Sequence, residues 1–223
     1  MLTVHHLEKS RSQRVLWMLE ELGVPYALEL YKRDPETMLA DPALRRVHPL
    51  GKSPVVTDDG NVLAESGAIL EYLVEKYGEG RFIPASGTPE RLRYRFWMHY
   101  AEGSAMPPLL MRLVFEQVKT KAPFLVRPIA KGIAASVTKM FIGPQLKTHY
   151  GFVEEELGKS TWFAGEELTA ADMQMSYAIE ASLARGGIRG LGERPNTQRW
   201  LERVRARPAY QRALEKGGPV IPG

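Results

Sequence analysis

The chain has 223 residues, 44% of them hydrophobic and 25% charged, which suits one large globular domain or two small ones with a proper core. Its 30 basic and 26 acidic residues leave a net charge of +4 spread along the chain, which points to a charged small molecule as partner and away from nucleic acid. The absence of cysteine excludes disulfide frameworks, thiolate-held zinc, iron–sulfur clusters and a cysteine nucleophile, and no apolar run approaches the ~18 residues of a membrane span. The opening MLTVHHLEKS lacks the basic region and long apolar stretch of a secretory signal, so the expected location is the cytoplasm.

Residues 2–6, LTVHH, read as a short strand. The next segment, SQRVLWMLEELG, places Val15, Leu16, Leu19 and Leu22 on one helical face and ends on Gly23, a natural stop. YALELYK (26–32) alternates as a strand does, so a parallel pair with a right-handed crossover is expected. After an irregular stretch rich in Pro and Arg, Val55-Val56 and Val62-Leu63 flank Asp59-Gly60, a hairpin signal. A helix follows over 67–77 with Ile69, Leu70, Leu73 and Val74 inward. The order β-α-β, loop, β-β-α resembles that of a thioredoxin-type domain.

Residues 81–90, RFIPASGTPE, interrupt the periodicity and read as a linker. Everything beyond is helical: 91–118 with an interruption at Pro107-Pro108, 129–157 with a kink near Gly143-Pro144, and helices from Ala170 and Asn196. The expected organisation is an α/β domain over 1–80, a linker over 81–89 and an all-α helical bundle over 90–223.

Two short constellations can carry chemistry. In HPLGKSPVV (48–56), Pro54 cannot donate to a ladder, so it marks a turn, an edge or a cis bond. With a cis bond, the backbone of Ser53 is free to pair with an extended peptide; the plain alternative is a turn entering a strand. In LAESGAILEYL (63–73), Ser66 is placed to cap the helix, whose N-terminus also suits an anion, and Glu65 suits an ammonium group. Together they match a zwitterionic amino-acid head group, though a helix cap alone also accounts for the step.

These motifs, in this order and behind SRSQRVLWMLEELGVPY, resemble the glutathione transferase superfamily, and the resemblance continues through FAGEELTAADM (163–173). It implies a thioredoxin-like domain joined to an all-helical one, with glutathione as co-substrate and no other cofactor. In that family the backbone at the position of Ser53 pairs with the cysteinyl unit, and the pair matching Glu65 and Ser66 binds the γ-glutamyl end. Lys52 is expected at a carboxylate of the peptide. A hydroxyl just past the first strand steadies the sulfur in many members; here the candidates are Ser10 first, then Ser12, with Arg11 as a third option. The implied reaction is conjugation of the glutathione thiolate to a hydrophobic electrophile by a twofold homodimer. Peroxide reduction, ether cleavage and a non-catalytic binding role are the rival readings.

The remaining motifs read as structural. Met98, His99, Tyr100, Met106, Leu110, Met111 and Phe115 are candidates for an apolar pocket, but at helical spacing most are expected in the core. His5 and His6 point to opposite faces of a strand and chelate no single metal. Thr169 and Asp172 form a capping-box pattern. Lys131, Lys139 and Lys147 read as a solvated helix face, with a membrane-surface stripe as the alternative, and no membrane association is expected.

Overall fold

Four strands form one sheet in the order β2–β1–β3–β4, in a computed structural model that describes residues 1–184 and 192–220. Strand β1 (Thr3–Leu7) pairs in parallel with β2 (Ala27–Tyr31) and antiparallel with β3 (Val55–Asp58), which turns into β4 (Asn61–Ala64). The parallel pair requires a crossover, supplied by α1 (Gln13–Leu22). Gly23, at φ 70°, closes that helix with its N–H donating to the Leu19 carbonyl at 2.9 Å. The β3–β4 turn places Asp59 at φ 47° and Gly60 at φ 83°, the positive pair that a two-residue hairpin turn requires.

Helix α1 packs against α3 (Ser66–Tyr77), and Val15, Leu16 and Leu19 of the first and Ile69, Leu70 and Leu73 of the second are fully buried in one core. Burial on this scale stabilises the layer by ~1.5–3 kcal/mol per side chain. A single helical turn, α2 (Leu44–Val47), anchors the irregular stretch through buried Leu44; the polar pattern there hides it from sequence periodicity.

The helical half begins at α4 (Pro89–Tyr100), capped by the Thr88 hydroxyl, which accepts from the Arg91 N–H. The expected interruption at Pro107-Pro108 takes a specific form. A π-helical turn spans Ala101–Ala105 and delivers the chain into α5 (Met106–Lys121), whose first turn holds both prolines. The prolines have no N–H to return to carbonyls in the preceding turn, so that turn widens instead of continuing as α-helix. The same device recurs: α6 (Arg127–Val137) passes through a π-turn at Thr138–Ile142 into α7 (Gly143–Glu156), which carries Pro144 in its first turn. Helices α8 (Ala170–Leu183), α9 (Pro195–Arg205) and α10 (Pro208–Gly217) complete the elements of the described residues.

The helix expected from Asn196 is two helices, broken ahead of Pro208, and α10 turns back over α1. Trp17 meets Tyr210 edge-on at 5.3 Å, and the ring of His6 reaches the Gly217 carbonyl at 2.9 Å. Gly217 is required there, since a Cβ would strike Gln13, Leu16 and His6. Among the described residues no helix is long and apolar enough to cross a membrane.

Candidate functional site

Three separate segments of the first half converge on one cleft. The Ser53–Pro54 peptide bond is cis, and the Ser53 hydroxyl pins the turn to β1 by donating to the His5 carbonyl at 2.9 Å and accepting from the Leu7 N–H at 3.1 Å. This leaves the Ser53 backbone outside the turn and ladder hydrogen bonds among the described residues. Glu65 follows β4 at φ 72°, a left-handed conformation that costs a non-glycine residue ~1–3 kcal/mol. Such a cost persists where the surroundings hold it in place, and here it sets Glu65 at the mouth of α3.

Ser66 departs from expectation. It is the first helical residue of α3 and not its cap, with Glu65 at the capping position. Its hydroxyl accepts from Nη1 of Arg14 at 3.0 Å. The cleft, about 270 Å3 in volume, is lined by Arg11, Lys52, Ser53, Pro54, Glu65 and Ser66, with His48, Leu50 and Ala64 between them. Among the described residues, its one residue from the helical half is Glu102.

Glu102 sits on the π-turn and ties the two halves together. Its carboxylate accepts from Nε of Arg11 at 3.0 and 3.1 Å and from Nη1 of Arg14 at 2.7 Å. Burial pushes the Glu102 carboxyl up, but the two guanidinium groups outweigh it and hold the acid below its ordinary range. Arg14 is fully buried and also donates to Gln174 Oε1 at 3.0 Å, while its ring-facing side lies 5.3 Å from the Tyr177 centroid. Its Nε and Nη2 find no acceptor among the described residues, and burial lowers its pKa from the ordinary arginine value. Neither Arg14 nor Glu102 was apparent from sequence. The one available signal was an arginine on the apolar face of α1, next to Val15 and Leu16.

The three sulfur candidates separate clearly. Ser10 and Ser12 are both buried. The Ser10 hydroxyl donates to the Leu7 carbonyl at 2.7 Å and accepts from the Ser12 N–H at 3.2 Å. The Ser12 hydroxyl bonds Nδ1 of His6 at 2.8 Å, so it ties β1 to the start of α1 and makes no capping bond. Neither serine lines the cleft; Arg11 does. Both hydroxyls serve the strand–helix junction, whereas the Arg11 side chain is the candidate that borders the cleft.

The apolar candidates do not gather at this cleft. Met98 and Met106 are buried in the core, Met111 and Phe115 pack partly against it, and His99 and Leu110 face solvent. Tyr100 shares a hydrogen bond with Nδ1 of His149 at 2.7 Å. A larger cavity of about 690 Å3 lies between the linker and residues 162–169, and it contains none of the predicted site residues. Among the described residues no group of three His, Cys, Asp or Glu is placed to hold a metal ion.

A four-stranded thioredoxin-like layer that carries a peptide-sized cleft against a helical bundle defines a two-domain class, and comparison with known proteins identifies it. Residues 10–76 match the family model for the glutathione S-transferase N-terminal domain, and residues 143–208 match that for the C-terminal domain. Glutathione S-transferase 3 of Schizosaccharomyces pombe is 37% identical over 218 residues, covering 97% of this chain and 88% of that protein. Glutathione S-transferase 1 of Saccharomyces cerevisiae is 28% identical, covering 96% of this chain and 94% of its own length. Among solved structures, a glutathione S-transferase from Actinobacillus pleuropneumoniae superposes with a TM-score of 0.79 at 32% identity, over 97% of this chain and 93% of that one. A glutathione transferase family member from Pseudomonas fluorescens, solved with two glutathione molecules bound, is 26% identical with a TM-score of 0.68, over 96% and 92% of the two chains. The chain belongs to the glutathione S-transferase superfamily.

Proposed function

We propose that the chain is a glutathione transferase that binds the tripeptide in the 270 Å3 cleft and conjugates its sulfur to a hydrophobic electrophile. The observation that carries this reading is the convergence of Ser53, Glu65, Ser66 and Arg11 on one cleft closed by Glu102. The Ser53 backbone offers strand-like pairing to the cysteinyl unit. Ser66 and the N-terminal amides of α3 take the γ-glutamyl carboxylate, and Glu65 takes its ammonium group. Lys52 is the cation for the glycyl carboxylate. Glutathione is the co-substrate, with no further cofactor, and the working unit is a homodimer of cytoplasmic chains.

Arg11 is the group we assign to the sulfur. A guanidinium at the cleft favours thiolate over thiol, whose reference pKa is ~8.5. Because Arg11 also holds Glu102, part of its charge is already answered, and its effect on the thiol is about one pKa unit, ~1.4 kcal/mol. The electrophile then needs only to be held near the sulfur, and proximity supplies the rest of the rate.

Calorimetry with reduced glutathione tests the binding half. Glu65→Ala weakens affinity by ~1–3 kcal/mol through the unpaired ammonium group; no heat from the intact chain, or full affinity in the variant, overturns the assignment. Thiolate absorbance against pH tests the chemical half. Arg11→Ala raises the bound thiol pKa while Ser10→Ala leaves it in place, and the opposite pattern returns the role to the hydroxyl. Turnover of an aromatic halide in preference to a hydroperoxide distinguishes conjugation from peroxide reduction.

A further inference from the structure

From Gln117 to Val153 the chain carries Lys119, Lys121, Arg127, Lys131, Lys139 and Lys147 and not one acidic residue. These six cations exceed the net charge of +4 of the entire chain, so the segment is an electrostatic exception within an otherwise mixed surface. Lys119 pairs with Glu116 at 2.5 Å, and Arg127 braces the turn by donating to the Ala122 carbonyl at 3.2 Å. Lys121, Lys131 and Lys139 have no carboxylate partner among the described residues.

The fold brings apolar side chains to the same place. The end of α5, the 3-10 turn Phe124–Val126 and the start of α6 form a hairpin tip, where Phe124 is 81% and Leu125 86% exposed. Ile129 and Ile133, four apart on α6, are exposed as well, and so are Met140 and Phe141 of the π-turn that follows. Only Ala134 of α6 is buried. Periodicity alone favours a solvated lysine face; the exposed apolar side chains beside those lysines are what the membrane-surface alternative needs. Large apolar side chains exposed together over one short stretch of the fold suit an interaction surface.

We propose that the α5–α6 hairpin tip seats on the surface of an anionic phospholipid bilayer, with Phe124 and Leu125 entering the headgroup–acyl boundary and the lysines meeting the lipid charge. The contact is interfacial, since no described helix is long enough to cross. A second copy of the chain fits the face less well, because a twofold contact opposes the same unneutralised cations. The proposal stands independently of the glutathione reading.

The test is co-sedimentation of the full chain with phosphatidylcholine vesicles and with phosphatidylcholine–phosphatidylserine vesicles. The expected result is binding to the mixed vesicles, at least about tenfold weaker to the neutral ones, and falling with added salt. Combining Lys121→Glu, Lys131→Glu and Lys139→Glu cuts binding by at least about a hundredfold, at roughly fivefold per charge. Leu125→Asp removes the apolar anchor at an exposed site, with the far-ultraviolet circular dichroism spectrum unchanged. Equal binding to both vesicle types, binding to neither, or binding retained in both variants overturns the proposal. So does a Leu125→Asp chain that keeps its vesicle binding but loses assembly mass by light scattering, which assigns the face to a second copy.

Discussion

Glu102→Ala lowers the unfolding free energy by about 3 kcal/mol and weakens glutathione binding in the same variant. Removing one partner of a buried pair typically costs ~3–5 kcal/mol, because the remaining charge is stranded. The lower end applies here, since the Glu102 side chain is about a third exposed and Ser66 and Gln174 still accept from Arg14. The binding loss arises separately. With Glu102 gone, Arg14 turns toward its remaining acceptors and Arg11 loses its tether, so Ser66 and the cationic edge of the cleft are no longer held in one geometry. Urea unfolding together with calorimetry measures both effects. Glu102→Gln, which keeps an acceptor for Arg14, recovers most of the stability. A Glu102→Ala chain as stable as the original shows that the buried guanidinium does not depend on this carboxylate.

The second large effect lies far from the cleft. Asp172→Ala costs about 4 kcal/mol, with glutathione affinity unchanged in the fraction that remains folded. The Asp172 carboxylate is fully buried and accepts from the N–H groups of Phe163 at 2.9 Å and Thr169 at 3.0 Å, from the Thr169 hydroxyl at 3.1 Å and from the Trp200 indole at 3.1 Å. It therefore joins α8, α9 and the preceding loop through one side chain. Truncation orphans several buried donors at ~1–3 kcal/mol each, with incomplete additivity. Burial pushes this carboxyl up to about 6 against the pull of those hydrogen bonds. Between the unfolded value of 3.8 and about 6 the folded chain holds the extra proton, so this group's contribution to stability falls as pH rises through that window. Denaturant midpoints across that range fall less steeply with pH in Asp172→Ala. A loss below about 1 kcal/mol in the variant contradicts the network reading.

The sheet order, the α1 crossover and the hairpin were legible because each rests on local signals: alternation in 26–32, the apolar face of α1, and Asp59-Gly60 at the turn. The cleft was legible through Ser53, Pro54, Glu65 and Ser66, whose spacing is regular even though each step alone is common. What escaped depends on contacts between distant segments. Ser10 and Arg11 are adjacent in sequence, and only the fold reveals that the serine turns into the strand–helix junction while the arginine faces the cleft. Glu102 reads as an ordinary surface acid until the π-turn ahead of the prolines aims it at Arg11 and Arg14. The hairpin tip was half legible: its lysines were plain, but the exposure of its apolar residues was not.

The return of α10 over α1 has a consequence for how the chain is made. The His6–Gly217 contact joins residues 211 positions apart, so β1 and α1 lack one of their covers until α10 has been made. A nascent chain with only the sheet and its two helices extruded presents Trp17 and Leu16 to its surroundings, on the side where Tyr210 and Gly217 later close. Most of the cleft lining is therefore made early, on the sheet and the loops ahead of α3, while the cover of α1 comes from a helix made far later.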